Sequence, residues 1–172
     1  EVGGGEMACG PDLGRLAAAG RDATVRVCDV GSGKESLTFR GHDDQVVGVA
    51  FHPDGKRVGS CSQSLTTPNI LVWDAGSGQV STRLIHPLGQ VHSVAFDADG
   101  KRLLSVGSDR SVTIWDIITG QPLASYRGHQ KQPTKATFTP DGSRVISVAA
   151  SEILDWYART GTDLLTLRGP AG

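Results

Sequence analysis

No apolar run in this chain approaches the ~20 residues that a membrane-spanning helix needs, so a membrane is not among the expected partners. Charge of one sign is missing too. Lys and Arg total 17 against 18 Asp and Glu, a net charge of −1, which gives no electrostatic footprint for nucleic acid or an anionic surface. Cysteine is scarce: Cys9, Cys28 and Cys61 are an odd number without metal-ligand spacing. They read as small buried hydrophobes in a reducing compartment, and the expected location is cytoplasmic. There is no low-complexity tract, no interdomain linker and no cofactor or metal motif, so no cofactor is expected. No signal peptide is visible, but the first residue is Glu1 rather than Met, and the chain is expected to be cut from something longer. At 172 residues it suits one domain able to bury a core.

Glycine is abundant, with 23 residues, and turns account for it. The stretch 91–129 shows the organisation best. Four short apolar runs, VHSVAF, KRLLSVG, SVTIWD and QPLASYR, are separated by Asp-Ala-Asp-Gly, Ser-Asp-Arg and Thr-Gly. Val112 and Ile114 alternate with Thr113 and Trp115, the period of a strand. The unit reads as a four-stranded antiparallel meander, and it recurs. Val27-Cys28-Asp29, Val72-Trp73-Asp74 and Ile114-Trp115-Asp116 align at spacings of 45 and 42 residues, and Trp156 follows Trp115 by 41. Gly-His stands at Gly41-His42 and Gly128-His129, and Phe-x-Pro-Asp-Gly starts at Phe51 and Phe138.

Together, in register, these motifs resemble the WD40 family, whose repeats of about 40–45 residues each form a four-stranded propeller blade. The resemblance covers roughly residues 6–168. It implies an all-β propeller with four blades, at about 6–40, 45–85, 90–127 and 133–168. The first is the most eroded: Cys28 replaces the usual Trp, Pro11-Asp12-Leu13-Gly14 stands where Pro-Asp-Gly stands later, and this blade is expected to be the least stable. In the second, an insertion at 63–68 lengthens the second turn and removes its Asp; it is either a neutral insertion or a contact loop. In the third, Gly-His is degraded to Ile85-His86-Pro87. In the fourth, Trp-Asp has become Trp156-Tyr157.

The resemblance also implies a buried hydrogen-bond relay in each blade, made of the His of Gly-His, a Ser on the second strand, the turn Asp and the Trp. The third blade supplies His86, Ser105, Asp109 and Trp115. The second supplies His42, Ser60 and Trp73, and the fourth His129, Ser147 and Trp156, both without the Asp. The first keeps Asp22 but has Ala18 and Cys28. A Ser-His-Asp set invites a hydrolase reading, yet a triad needs an exposed nucleophile beside an oxyanion hole. This set repeats with the blades, is partly lost in three of them, and ends on an indole that can only donate. The structural reading is favoured. Gly31-Ser32-Gly33-Lys34 lacks P-loop spacing and reads as a turn. His52 and His92 have no ligands at metal spacing, and His42-Asp43-Asp44 reads as solvated loop charge.

Function is argued from sites rather than fold. The resemblance implies a rigid scaffold that docks other proteins on its faces. Its contact positions map onto Arg21, Asp43, Gln45, Leu88, Gln90, Ser108, Gln130 and Gln132, a mixed polar set without the aromatic and Arg clusters of a hot spot. The alternatives are an enzyme or ligand site at the central channel, and a regulatory sensor within a larger signalling protein. The inner-strand positions Val46, Val91 and Thr134 are mostly apolar or small, which argues against the channel. Propellers have four to eight blades. The four expected here belong to a larger ring completed by missing sequence, pair with a second copy into an eight-bladed ring, or close alone.

Overall fold

A computed structural model describes residues 5–65, 69–86 and 89–169. Among them every regular element is a strand. Blade one is β1 (Met7–Cys9), β2 (Arg15–Ala19), β3 (Val25–Asp29) and β4 (Glu35–Phe39). Blade two is β5 (Val46–Phe51), β6 (Arg57–Ser62), β7 (Ile70–Asp74) and β8 (Val80–Leu84). Blade three is β9 (Val91–Phe96), β10 (Arg102–Gly107), β11 (Val112–Asp116) and β12 (Pro122–Tyr126). Blade four is β13 (Pro133–Phe138), β14 (Arg144–Ala149), β15 (Glu152–Tyr157) and β16 (Asp163–Arg168). Each blade is a separate antiparallel sheet with its strands in chain order. β-Branched and aliphatic residues at alternate positions fill both faces of the middle strands, as sheets covered on two sides require.

The turns follow from glycine chemistry. Between the first and second strands, Gly55, Gly100 and Gly142 take positive φ, and each N–H donates to the carbonyl three residues back. Blade one makes the same turn with Leu13 at φ 58°, a conformation that strains a side-chain-bearing residue. Between the third and fourth strands, Asp29, Asp74 and Asp116 accept hydrogen bonds from the N–H groups of Ser32, Ser77 and Thr119. This Asp is therefore a turn cap. It is also where Gly31-Ser32-Gly33-Lys34 lies, in a tight turn with Gly33 at positive φ.

Blades stack face to face, and the same positions make every joint. Ala17, Ala19, Val25, Val27 and Phe39 on the leading face of blade one pack on Val49, Val58, Leu71 and Trp73 on the trailing face of blade two. Cys61, Ile70, Val72 and Leu84 pack likewise on Leu103 and Trp115, and Leu104, Val106, Val112, Ile114 and Tyr126 on Val145, Leu154 and Trp156. Phe39 stacks on Trp73 at 4.2 Å between ring centres and Tyr126 on Trp156 at 4.8 Å, contacts that add to the area they bury. Each joint is also tied at the rim nearest the Asp-Gly turns. Arg15 donates to the Gly55 carbonyl, the His52 ring meets the Gly100 carbonyl at 2.8 Å, and Arg102 donates to the Gly142 carbonyl at 2.8 Å. His52 is thus a buried joint residue. A Cβ at Gly100 would lie 2.0 Å from its ring, so only glycine allows this approach.

Among the described residues no joint cluster draws on both blade one and blade four, and β16 is exposed along its whole length. The two blades are linked at their inner ends by the ion pair of Lys135 with Glu6.

Candidate functional site

The buried polar sets lie inside blades two, three and four, where each His of the preceding connection reaches under its own sheet. In blade three, Trp115 Nε1 donates to Ser105 Oγ at 2.8 Å, and Ser105 lies 3.0 Å from His86 Nδ1. His86 Nε2 then meets Asp109 at 3.2 Å and Ser111 Oγ at 2.9 Å. The direction follows from the indole, which is donor-only. Ser105 accepts from Trp115 and gives its own proton to the imidazole, whose other N–H faces the acid. Arg127 lies 2.8 Å from the far oxygen of Asp109. Burial opposes ionisation of Asp109, but hydrogen bonds from Ser111 and His86 hold its carboxyl below the usual range. Burial lowers the His86 pKa despite Asp109.

Blade four builds the same chain with a different acid. Trp156 Nε1 donates to Ser147 Oγ at 3.1 Å, and Ser147 meets His129 Nε2 at 2.7 Å. His129 Nδ1 faces Glu152 Oε1 at 3.0 Å, and the same oxygen accepts the Gln130 N–H at 2.8 Å. Glu152 was not in the sequence reading, which looked for an acid in the second turn. It stands one residue before Ile153, the register position of Ser111 in blade three. A charged residue sharing alternation with Leu154 and Trp156 on a buried face was the available signal. Burial raises the Glu152 pKa, but the bonds from His129, Gln130 and Lys131 outweigh it and hold the carboxylate below its ordinary value.

Blade two has no acid. Trp73 donates to Ser60 at 3.0 Å, and Ser60 meets His42 Nε2 at 2.7 Å. His42 Nδ1 is buried without a hydrogen-bond partner among the described residues. The residue at the Ser111 position, Asn69, turns instead to blade three, where its Oδ1 accepts the His86 N–H at 3.0 Å. Burial drives the His42 pKa down to about 4, against a small opposing effect of Asp43. In blade one Asp22 accepts from Thr24 at 2.7 Å, with Ala18 and Cys28 in place of Ser and Trp.

The expected contact residues sit at one end of the sheets. In an up-down meander the second turn and the connection into the next blade share an end, and these residues occupy just those segments. Arg21, Asp43, Gln130 and Gln132 are exposed, and Gln45, Gln90 and Ser108 half-buried; Leu88 lies outside the described residues. Four of them are held by hydrogen bonds at this end. Gln45 Nε2 donates to Gln63 at 2.9 Å, the Gln90 N–H to Ser108 Oγ at 3.0 Å, and Gln132 touches His92. Gln63 belongs to the insertion of blade two, so that loop is anchored to the rim at its start.

The inner strands are β1, β5, β9 and β13. Val46 and Val91 are buried, and Thr134 is exposed with its hydroxyl donating to the Val148 carbonyl at 3.4 Å. Lys135 crosses to Glu6 at 2.7 Å. Burial and then the charge of Glu6 push the Cys61 thiol up, so it stays protonated and a poor nucleophile. A cleft of about 510 Å³ beside blades three and four is lined by Arg102, Gly142, Ser143, Tyr157 and Arg159; the Arg102 guanidinium there is already engaged by Asp97 and Gly142. No group of three metal-ligating side chains is present among the described residues, and they include no helix long and apolar enough to cross a membrane.

Comparison with known proteins agrees with this architecture. The family model "WD domain, G-beta repeat" matches residues 33–74 and 78–116. The chain is 32% identical over 136 residues to the WD40 repeat-containing protein HOS15 of Arabidopsis thaliana, covering 76% of this chain and 22% of that protein. It is 31% identical over 139 residues to the uncharacterized WD repeat-containing protein sll1491 of Synechocystis, covering 81% and 27%. A nuclear distribution protein, PAC1-2 of Postia placenta, is 49% identical over 41 residues, 24% of this chain and 10% of that protein. The chain thus spans about a quarter of the length of the two relatives it matches over most of its own.

Proposed function

We propose, for a chain that belongs to the WD40-repeat family, that it is a non-catalytic scaffold docking other proteins on the rim that carries Arg21, Asp43, Gln45, Leu88, Gln90, Ser108, Gln130 and Gln132. The observation that carries this reading is the fate of the Ser–His–acid sets. Ser60, Ser105 and Ser147 are each fully buried, and each already accepts a Trp N–H. A nucleophile must reach a substrate carbonyl beside an oxyanion hole; these hydroxyls reach only the interior of the sheet. Their role in this reading is to hold the incoming connection against its blade, which fixes the rim. Rigid backbone with exposed polar side chains suits partner recognition at low ordering cost.

The test is affinity capture from extract of the source cells with three forms of the chain: unchanged, altered on the rim (Arg21→Ala, Asp43→Ala, Gln130→Ala), and altered at the opposite end (Asp54→Ala, Lys101→Ala). A protein retained by the first and third forms and lost from the second is expected. Retention by the rim variant, or by none of the three, overturns the assignment.

A further inference from the structure

We infer that the sector of this rim formed by the second turn of blade three and the connection into blade four receives an acidic segment of a partner protein, whose carboxylates are held by Arg110 and Lys131. This rests on the proposed rim and deepens it, naming the chemistry of the partner and the place where it docks.

This sector carries surface charge of one sign, although the chain as a whole has a net charge of −1. Segments 107–111 and 127–132 hold Arg110, Arg127 and Lys131, all three exposed. Two acids lie among them, and both are turned inward. The Asp109 side chain is 11% exposed and is engaged by His86, Ser111 and the guanidinium of Arg127. Glu152 is 4% exposed and accepts from His129 and from the Gln130 N–H. Arg127 is thus already paired. Lys135 and Arg168, at the same end, are paired with Glu6 at 2.7 Å and Glu152 at 3.7 Å. Arg110 and Lys131 have no acid partner among the described residues. Blades one and two differ at this end. Their segments 20–24 and 40–45 mix Arg21 and Arg40 with Asp22, Asp43 and Asp44, all exposed. An acidic segment is therefore attracted to the sector of blades three and four and repelled by Asp43 and Asp44, which gives the rim a direction.

The buried acids also set where the two free cations stand. Asp109 caps the second turn by accepting the Ser111 N–H at 3.2 Å, and Arg110 between them takes φ 67°. From there Arg110 Nη1 reaches the Gln130 carbonyl at 3.4 Å, which brings the guanidinium to the connection that carries Lys131. Glu152 holds that connection from within, for its Oε1 lies 2.8 Å from the Gln130 N–H. A guanidinium presents five donors in a planar fork that matches a carboxylate, and an ammonium presents three. The Gln130 carbonyl takes one of the five. Cations placed on backbone that is fixed before contact lose little freedom on binding. Neither segment exposes an aromatic ring, so the stacking surface on which a nucleic-acid strand is held is lacking, and the charge favours an acidic stretch of protein.

The experiment is selection of a phage-displayed library of random short peptides on the unchanged chain, followed by fluorescence anisotropy of the enriched peptides on the chain and its variants. The enriched peptides are expected to be acidic. They should bind about threefold more weakly to Lys131→Ala and to Arg110→Gly, and more than about tenfold more weakly to the double reversal Arg110→Glu with Lys131→Glu. Their affinity for the unchanged chain should fall about tenfold between about 0.05 and 0.5 M salt. Arg110→Gly separates binding from folding: it removes the cation and relieves a left-handed side-chain-bearing residue, so the chain should melt higher while it binds less. Neutral or basic peptides that are lost on the rim variant (Arg21→Ala, Asp43→Ala, Gln130→Ala) overturn the acidic partner and leave the rim reading standing. Peptides bound equally by every variant overturn both. No enrichment over the bare support overturns the inference, and so does oligothymidylate that binds more tightly than the peptides and is lost on the same double reversal.

Discussion

Replacing Glu152 by Ala should destabilise blade four more than any other single change to a relay acid. The structure sets the size. Glu152 Oε1 accepts from His129 Nδ1 at 3.0 Å and from the Gln130 N–H at 2.8 Å, at a position 4% exposed. Truncation leaves the His129 donor buried without this acceptor and removes the acceptor of the Gln130 N–H. Hydrogen bonds to a charged acceptor are worth about 1.5–3 kcal/mol each, and an orphaned buried donor costs about 1–3 kcal/mol. Relief of the carboxylate's own burial offsets part of this, so the expected loss is about 3 kcal/mol. Glu152→Gln keeps an accepting oxygen and should lose only about 1 kcal/mol. The pH dependence separates the charge from the shape. The folded carboxyl titrates below its ordinary value of 4.5, so its contribution is complete above that value and is lost as pH falls through the folded pKa. Glu152→Gln should therefore remove the part of the acid sensitivity that the unchanged chain shows below about pH 4.5. Urea unfolding followed by Trp fluorescence gives the stability, and amide exchange of β15 and β16 gives its location. A Glu152→Ala loss under about 0.5 kcal/mol, or a loss spread evenly over all four blades, refutes the reasoning.

Asp109→Ala should cost less, about 1–2 kcal/mol by urea unfolding, because Ser111 Oγ stays 2.9 Å from His86 Nε2 and satisfies it; blade three loosens and no turnover changes, since none is expected. His42 is held neutral with a pKa near 4 against 6.5 when unfolded. The unfolded chain therefore binds the extra proton first, and stability should fall by about 3 kcal/mol in total as pH drops from 6.5 through 4; His42→Gln should flatten that fall in a pH series of melts. Leu13→Gly should stabilise the chain by about 0.5–1 kcal/mol, since it releases left-handed strain at a residue 72% exposed; a lowered melting temperature would count against that account of the turn.

The strands were legible because each is short, bracketed by Asp, Gly or Ser, and repeated. Repetition supplied what a single copy could not, so that blade one was readable although its Trp is Cys28. The all-strand fold of four four-stranded sheets followed. The relay was legible wherever the family's residue types persist, as in His86, Ser105, Asp109 and Trp115. Glu152 was not, because the search fixed the acid's place in the turn, whereas the imidazole requires only that an acceptor reach its second nitrogen. His52 was read only as lacking ligands at metal spacing. Its partner is a carbonyl 48 residues away in another sheet, and no local pattern encodes that. The joint ties of Arg15 and Arg102 were missed for the same reason.

The three relays separate what is fixed from what is free. The segment from Trp through Ser to one nitrogen of His is the same in blades two, three and four, with distances between 2.7 and 3.1 Å. The far nitrogen varies: a turn Asp with a Ser in blade three, a strand Glu in blade four, and no partner among the described residues in blade two. The near segment is constrained because the indole is donor-only, so the Ser must accept, and the Ser proton then has one destination. The far end faces the connection, where a turn or a strand start can supply an acceptor. Blade two has the lengthened second turn, and its strand-start residue, Asn69, is committed to the backbone of blade three. Packing in this blade is not lost, for Trp73 is as buried as Trp156 and stacks more closely on its neighbour. An acceptor returned to the second turn of blade two should therefore recover stability in that blade alone.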